Sequence, residues 1–217
     1  MTGRGPVGGP ALGPLTRAES HQGLPAAPLT AFPECSHSGP LWRAAKGSPW
    51  WYCNCGSCRF DLDASHGTCY LGTDELVAVL ETIGPEIADG VVASVYLDAR
   101  RLHRWKRSRP LKAADLTDRR AVGRGVTNEL ATMTPYTIPR ARARALHAAE
   151  CRAVSYRSRF DTGDSHRAVA HFGPAGLAGR RSDSGVAIGP DLRVRLEEEC
   201  GVVVAGPPSL DGLTVME

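Results

Sequence analysis

The clearest pattern of apolar and polar positions lies between residues 59 and 85. A turn at His66 and Gly67, followed by a short strand over residues 68–71, is predicted to lead into a helix of about three turns. Thr73 suits the N-cap of this helix, and the Gly84-Pro85 pair is expected to end it. This unit therefore predicts a strand that feeds directly into an amphipathic helix.

One face of the predicted helix is apolar. Leu76, Leu80 and Ile83 recur at the spacing of a buried stripe, which predicts that this face packs into the core. Glu81 lies at the edge of that stripe, where a carboxylate is expected to be half-buried. Two interpretations stay open, an exposed helix glutamate or a carboxylate that is paired or functional.

The remaining apolar segments mix strands and helices. Strands are predicted at residues 40–43, 91–97, 153–156, 167–172 and 202–204, and helices at residues 139–150 and 191–200. The basic segment 103–109 is predicted to be a solvated loop with Trp105 as its anchor. Because no steady βαβ alternation appears, the predicted class is α+β, with a compact mixed sheet and flanking helices.

Composition limits the domain organisation and the partners. The 217 residues are 42% hydrophobic and 23% charged, with a net charge of +3, which is ordinary for a globular protein and too small to indicate a nucleic-acid partner. Residues 1–33 are rich in Gly, Pro and Ala and are expected to be a disordered tail, followed by a folded domain over residues 34–207 and a loose tail over 208–217. Neither a leader nor a membrane-spanning run is apparent, so a cytoplasmic protein is expected.

One set of residues could form a binding pocket from several elements. Its members are Arg43, Arg59, Tyr70, Glu81 and Ser158. Two arginines suit a pyrophosphate, because each guanidinium presents a planar fork of donors. A half-buried glutamate can stabilise an oxocarbenium ion at a ribose, as carboxylates do in glycoside cleavage.

Two other sets compete with this pocket. Three cysteines in a C-x-C-x2-C spacing are close enough to share a zinc ion, with Cys69, or Cys35 and His37, as further ligands; the three are Cys53, Cys55 and Cys58. This spacing has no second CxxC pair later in the chain, so reduced thiols are the competing interpretation. The basic residues around Trp105 and at 140–144 could bind nucleic acid, although a nearly neutral chain makes this a weak signal.

Several motifs together resemble the RES domain family, which is named for its arginine, glutamate and serine. Arg59-Phe60-Asp61, the segment 67–71 and the helix that carries Glu81 are similar to the opening motif of the family. Residues 41–43 match its arginine-bearing strand, residues 115–118 its middle segment and residues 156–160 its serine motif. The resemblance covers about residues 40–205, and its specificity lies in the order and spacing of these motifs.

The resemblance implies a fold related to ADP-ribosyltransferase toxins and an enzyme that cleaves NAD+ at the nicotinamide–ribose bond, with water or phosphate as acceptor. It implies NAD+ as substrate, phosphate as a candidate co-substrate, and no bound cofactor. Many members are toxins of toxin–antitoxin pairs that an Xre-type antitoxin silences, and a homodimer is plausible. If the roles of the family's motif residues apply to the matching positions of this chain, the catalytic residues would be Glu81, Arg59 and Ser158. The substrate would be bound by Arg43, Arg59, Tyr70 and Ser158.

The chain also departs from the family pattern. Ala44 follows Arg43 where some members have a tyrosine, and the cysteine-rich segment 53–58 is not a family feature. Two alternatives therefore remain beside NAD+ breakdown. One is a mono-ADP-ribosyltransferase that modifies a protein target, and the other is a non-catalytic module that binds zinc or nucleic acid.

Overall fold

The computed structural model describes residues 31–178 and 184–207. In this part of the chain the strands are β1 (Glu34–His37), β2 (Leu41–Ala45), β3 (Trp51–Tyr52), β4 (His66–Gly72), β5 (Val91–Ala93), β6 (Arg101–Trp105), β7 (Leu111–Asp115), β8 (Ala153–Tyr156), β9 (Ala168–Pro174), β10 (Gly176–Leu177), β11 (Val186–Ala187) and β12 (Val203–Ala205). The α-helices are α1 (Glu75–Ile83), α2 (Ser94–Asp98), α3 (Thr137–Ala148) and α4 (Pro190–Cys200), and 3-10 turns cover Gly84–Glu86, Arg119–Arg124 and Asn128–Ala131.

The central feature is an eight-stranded sheet in the order β1-β7-β8-β9-β4-β2-β6-β11. Its neighbouring strands are antiparallel except for β7 and β8, which run parallel. Two small ladders pair β3 with β10 in antiparallel orientation and β5 with β12 in parallel orientation. This mixed sheet with flanking helices confirms the predicted α+β class.

The core forms on both faces of the sheet because side chains alternate along β8 and β9. Val154 and Tyr156 of β8 face a cluster that contains Leu146 of α3, whereas Ala153 lies in the cluster on the opposite face. A third cluster packs α1 against α2 and α4. None of the helices among the described residues has the length and apolar character needed to cross a membrane.

The predicted amphipathic helix is confirmed as α1, with a shift in its cap. The Asp74 side chain, rather than Thr73, accepts the backbone N–H of Leu76 at 2.8 Å, so Asp74 is the N-cap. The Thr73 hydroxyl instead accepts the backbone N–H of Arg167 at 2.8 Å and joins the start of the helix to β9. Leu76 and the other residues of the predicted stripe are buried.

The helix lies unusually close to the strand that precedes it. A Cβ atom at Gly72 would come within 2.5 Å of the backbone nitrogen of Ala78, so only glycine allows this approach. The predicted turn at His66 and Gly67 is wrong, because both residues already belong to β4 and pair with β9. The chain reverses just before them, where the His66 N–H donates to the carbonyl of Asp63.

Two other segments differ from their predictions. The predicted strand over residues 91–97 ends at Ala93 and continues as α2, in which Leu97 is fully buried but Val95 is 62% exposed. The predicted basic loop at 103–109 begins with β6, an interior strand of the large sheet. There the Arg104 guanidinium stacks on Trp42, with 5.3 Å from Cζ to the ring centroid, so the charge stays at the surface of a paired strand.

The predicted tails lie almost entirely outside the described residues. Only the last residues of the proposed N-terminal tail are described, and they belong to the folded domain. Phe32 is buried in the core, and the carbonyl of Pro33 accepts the backbone N–H of Asp115 at 2.8 Å.

Candidate active site

A cavity of about 650 Å³ opens beside the first helix, between that helix, β2, β4 and the end of β8. This volume is in the range of small-molecule sites, about 300–1,000 Å³. The residues that line it come from across the chain: Arg43, Ala44, Ala45, Lys46, Gly47, Ser48, Trp51, Ser57, Cys58, Arg59, Tyr70, Leu71, Ala78, Glu81, Thr82, Pro85, Arg100, Tyr136, Tyr156, Arg159 and Phe160. Four of the five predicted pocket residues are among them.

Glu81 is half-buried, as its position at the edge of the apolar stripe predicts. The hydroxyl of Tyr156 donates a hydrogen bond of 2.8 Å to Glu81 Oε2. The other carboxylate oxygen, Oε1, is buried and has no hydrogen-bond partner among the described residues. Since burial and the neighbouring carboxylate raise the pKa of Tyr156 well above its ordinary value, the phenol keeps its proton and remains a donor to Glu81.

Arg59 is a second buried group with unused hydrogen-bonding capacity. Its side chain is only 7% exposed, and its Nε and Nη2 atoms have no hydrogen-bond partner in the part of the chain that the structure describes. The guanidinium stacks on the ring of Tyr136, with its Cζ 5.0 Å from the centroid, so packing fixes the cation without consuming those donors. Buried donors without partners are costly, and this makes a bound acceptor the natural occupant.

The cavity is strongly cationic although the whole chain is almost neutral. Its lining includes five cationic side chains, from Arg43, Lys46, Arg59, Arg100 and Arg159. Among the described residues of the lining, Glu81 is the single carboxylate. Such a field favours an anionic ligand, and a site lined by one sign of charge also speeds its association.

Tyr70 lines the cavity, and its hydroxyl forms hydrogen bonds within the fold. The hydroxyl donates to Asp61 Oδ1 at 3.0 Å and accepts the backbone N–H of Phe60 at 2.8 Å. Burial, reinforced by the charge of Asp61, raises the pKa of Tyr70 well above its usual value. Burial also raises the pKa of Asp61. Tyr70 therefore offers an aromatic surface that is held in place by its polar end.

The other two predicted pocket residues differ in their placement. Arg43 lines the cavity, and its Nη1 donates to the carbonyl of Trp51 at 2.9 Å and to Cys69 Sγ at 2.6 Å. Ser158 is buried, but it is not among the residues of the lining. Its hydroxyl oxygen accepts the backbone N–H of Phe160 at 3.1 Å, so it shapes the turn after β8.

That turn carries two further wall residues. The Arg159 guanidinium stacks on Phe160, with 4.5 Å from Cζ to the ring centroid. The Phe160 ring in turn lies against the end of α1, where a Cβ at Gly84 would come within 2.4 Å of it. The helix end and the serine turn are therefore in direct contact, which places Arg159 and Glu81 on walls of the same cavity.

The two competing residue sets have different surroundings. Cys53 and Cys55 form a disulfide, and their sulfur atoms and an Asp61 carboxylate oxygen all lie within 4.8 Å of one another. Cys69 instead contacts Arg43, while Cys35 and His37 lie on the edge strand β1. The zinc set Cys53, Cys55 and Cys58 stays a prediction.

Several members of the basic set are engaged within the fold. Arg107 donates to the carbonyls of His37 and Gly39, at 2.6 and 2.7 Å. Arg140 donates to the carbonyl of Gly56. These contacts leave fewer of the guanidinium groups to face a phosphate backbone, and they weaken the nucleic-acid interpretation.

Sequence reasoning missed several charged and aromatic residues of the cavity wall, among them Lys46, Arg100, Tyr136, Tyr156 and Arg159. Tyr156 and Arg159 flank Ser158 in the motif at 156–160, and alternation along β8 could have assigned Tyr156 to the face of Val154. No local sequence pattern identifies Arg100 or Tyr136 as a wall residue, because their positions depend on packing between distant segments.

A comparison with protein-family models agrees with the sequence motifs. A family model described as the RES domain matches residues 40–196. A solved structure, from the crystal structure of the M. tuberculosis MbcT-MbcA toxin-antitoxin complex, is similar at 15% sequence identity with a TM-score of 0.48, over 78% of this chain and 84% of that chain. No curated protein matches the chain. Since the family match covers well over half of the sequence, the chain belongs to the RES domain family.

Proposed function

We propose that this protein cleaves NAD+ at the nicotinamide–ribose bond and transfers the ADP-ribosyl group to water or phosphate. One observation carries the proposal. Arg59 and Glu81 line the same cavity, and each has buried polar atoms that form no hydrogen bond with any described residue. The first is a donor set for phosphate oxygens and the second a carboxylate oxygen for a developing cation, which together are what this reaction requires.

The cationic lining supports a ligand with a diphosphate. Arg59 would bind the diphosphate through its free Nε and Nη2 donors, and Arg43 would add a second positive charge from β2. The aromatic rings of Tyr70 and Tyr136 offer flat surfaces for the nicotinamide or ribose. A substrate held at both ends would place its reacting bond near Glu81.

The chemistry needs charge stabilisation more than a strong nucleophile. When the bond between the ribose carbon and the nicotinamide nitrogen breaks, its electron pair moves to the nicotinamide ring, which leaves as a neutral molecule. Positive charge then develops on the ribose, where the Glu81 carboxylate would stabilise it. Water or phosphate forms the new bond to the ribose carbon, and water releases a proton as it does so.

Tyr156 would act through Glu81. Its hydrogen bond occupies Oε2 and leaves Oε1 for the substrate. Ser158 would complete the site indirectly, since its hydroxyl holds the turn that carries Arg159 and Phe160.

The test is NAD+ consumption by purified protein, with and without phosphate, followed by separation of nicotinamide and the ribosyl products. We expect Arg59→Ala and Glu81→Ala to abolish turnover. The matched controls Arg109→Ala and Glu198→Ala change exposed residues outside the cavity lining and should behave like wild type. Intact NAD+ in every folded sample would refute the proposal, whereas label transferred from NAD+ to other proteins would indicate a mono-ADP-ribosyltransferase instead.

We further propose that the protein is the toxin of a toxin–antitoxin pair that an Xre-type antitoxin silences. Membership of the RES domain family supports this role. Induced expression in bacteria should stop growth while cellular NAD+ falls, and Glu81→Ala should do neither. Growth arrest that persists in Glu81→Ala would show that toxicity does not depend on this cavity.

A further inference from the structure

The loop that precedes Arg59 holds three cysteines that the proposed reaction does not use. They follow β3 as Cys53, Cys55 and Cys58. The sulfur atoms of the first two and a carboxylate oxygen of Asp61 lie within 4.8 Å of one another, and Cys55 Sγ is 3.6 Å from Asp61 Oδ2. A backbone hydrogen bond of 3.0 Å from Cys58 N–H to the same Oδ2 brings the third cysteine to this carboxylate.

The close approach of these sulfur and carboxylate atoms is compatible with a bound metal ion once the disulfide is reduced. Zn²⁺ takes thiolate and carboxylate ligands in a tetrahedral arrangement, and a structural site has four protein ligands. Ser57 Oγ lies 2.7 Å from Cys55 Sγ and 3.9 Å from Cys58 Sγ, so this hydroxyl connects the two thiols, although Cys58 itself lies outside the group of atoms within 4.8 Å of one another. Gly56 adopts a φ of +72°, which allows the tight reversal between Cys55 and Cys58.

We propose that the reduced loop binds one thiophilic divalent cation, Zn²⁺ by preference, through Cys53, Cys55, Cys58 and Asp61. A thiol reductant first breaks the Cys53–Cys55 bond, giving two thiols while the reductant is oxidised to its own disulfide. Each thiol that then binds the cation releases its proton to solvent. The site is structural, because all four ligands come from the protein.

The position of the loop gives this site a consequence for the cavity. Ser57, Cys58 and Arg59 all line the cavity, so the cation would fix the segment just before the key guanidinium. On its other side, Asp61 Oδ1 accepts the hydroxyl of Tyr70. Oriented ligands of this kind are typical of metal sites, in which a neighbouring hydrogen bond holds the coordinating carboxylate.

The test is the metal content of the full chain, purified with reductant and then freed of excess metal. We expect about one zinc per chain in wild type. Co²⁺ should replace it and give the absorption band of thiolate coordination. Cys55→Ser changes an exposed residue and should lose both the zinc and the cobalt band. The controls Cys151→Ser and Cys200→Ser alter half-buried thiols outside the cluster and should keep them.

A second measurement separates a failed fold from a lost site. A chelator should lower the thermal unfolding midpoint of reduced wild type and of the two controls, but not that of Cys55→Ser. Reduced protein that takes up neither Zn²⁺ nor Co²⁺ would overturn the proposal, and so would zinc retained by Cys55→Ser. These readouts do not require NAD+ cleavage, so this inference and the proposed function can fail separately.

Discussion

Replacing Tyr156 by phenylalanine removes one hydroxyl group from the cavity wall and leaves the ring in place. The lost interaction is the 2.8 Å hydrogen bond to Glu81 Oε2. Hydrogen bonds to charged groups contribute about 1.5–3 kcal/mol, and each 1.4 kcal/mol or so is a factor of ten in rate. We therefore expect kcat for NAD+ cleavage to fall about 10- to 150-fold, because Glu81 loses the contact that orients it.

The assay is steady-state NAD+ consumption by Tyr156→Phe, Glu81→Gln and the double variant. If Tyr156 acts through Glu81, its substitution should have little further effect once Glu81 is changed. Tyr52→Phe is the matched control, since its buried hydroxyl pairs with His171 Nδ1 at 2.8 Å outside the cavity lining. Its kcat should equal that of wild type.

Folding must be checked for the same variant. The ring of Tyr156 makes an edge contact with Phe60, with centroids 4.9 Å apart, and phenylalanine keeps this contact. The thermal melt should therefore stay cooperative. Wild-type turnover by Tyr156→Phe would refute the reasoning, as would an equal fall of kcat in the Glu81→Gln background.

Three further predictions follow from individual contacts. Arg59→Lys keeps the positive charge but loses the planar set of guanidinium donors, so the catalytic efficiency of NAD+ cleavage should fall at least about tenfold. The midpoint of urea unfolding should not change, and wild-type efficiency in this variant would contradict the prediction. Gly84→Ala places a Cβ 2.4 Å from Phe160 and should lower the free energy of unfolding by about 1–3 kcal/mol, whereas Gly39→Ala, with nothing within 4 Å, should change it little. Burial raises the pKa of Asp61 in the folded state above its ordinary value of 3.8, so Asp61 stabilises the fold below pH 3.8 and this stabilisation is lost as the pH rises through the raised pKa. In urea unfolding of the metal-free protein, wild type should therefore lose stability relative to Asp61→Asn as the pH rises from 3.8 through the raised pKa. A difference in stability that does not change with pH would contradict this prediction.

The local elements with strong periodicity were predictable from the sequence. The α1 stripe and its half-buried glutamate are confirmed, and β8 has the predicted bounds, because each pattern reports burial directly. The basic segment at 103–109 was not predictable in this way. Arg104 and Arg107 stack on Trp42 and Trp105, and these tertiary contacts allow a charged sequence to form an interior strand.

In the candidate site, too, some residues were predictable from the sequence and others depend on tertiary contacts. Arg43, Arg59, Tyr70 and Glu81 line one cavity, and the family motifs named all four. The partner of Glu81 could not be found locally, because Tyr156 lies 75 residues further along the chain. Ser158 shows that a motif residue can support a cavity without lining it, which only the three-dimensional structure distinguishes.

The long separation between Glu81 and Tyr156 also bears on when the site exists during synthesis. The residues of the first helix are synthesised well before β8. The Glu81 carboxylate can accept its hydrogen bond from Tyr156 only after β8 has paired with β9 in the sheet. Contacts so distant in sequence form late, because a long loop must close before they are gained. A nascent or cleaved chain that ends before Tyr156 therefore lacks the phenol that holds Glu81, and the proposed NAD+ cleavage would require the completed fold.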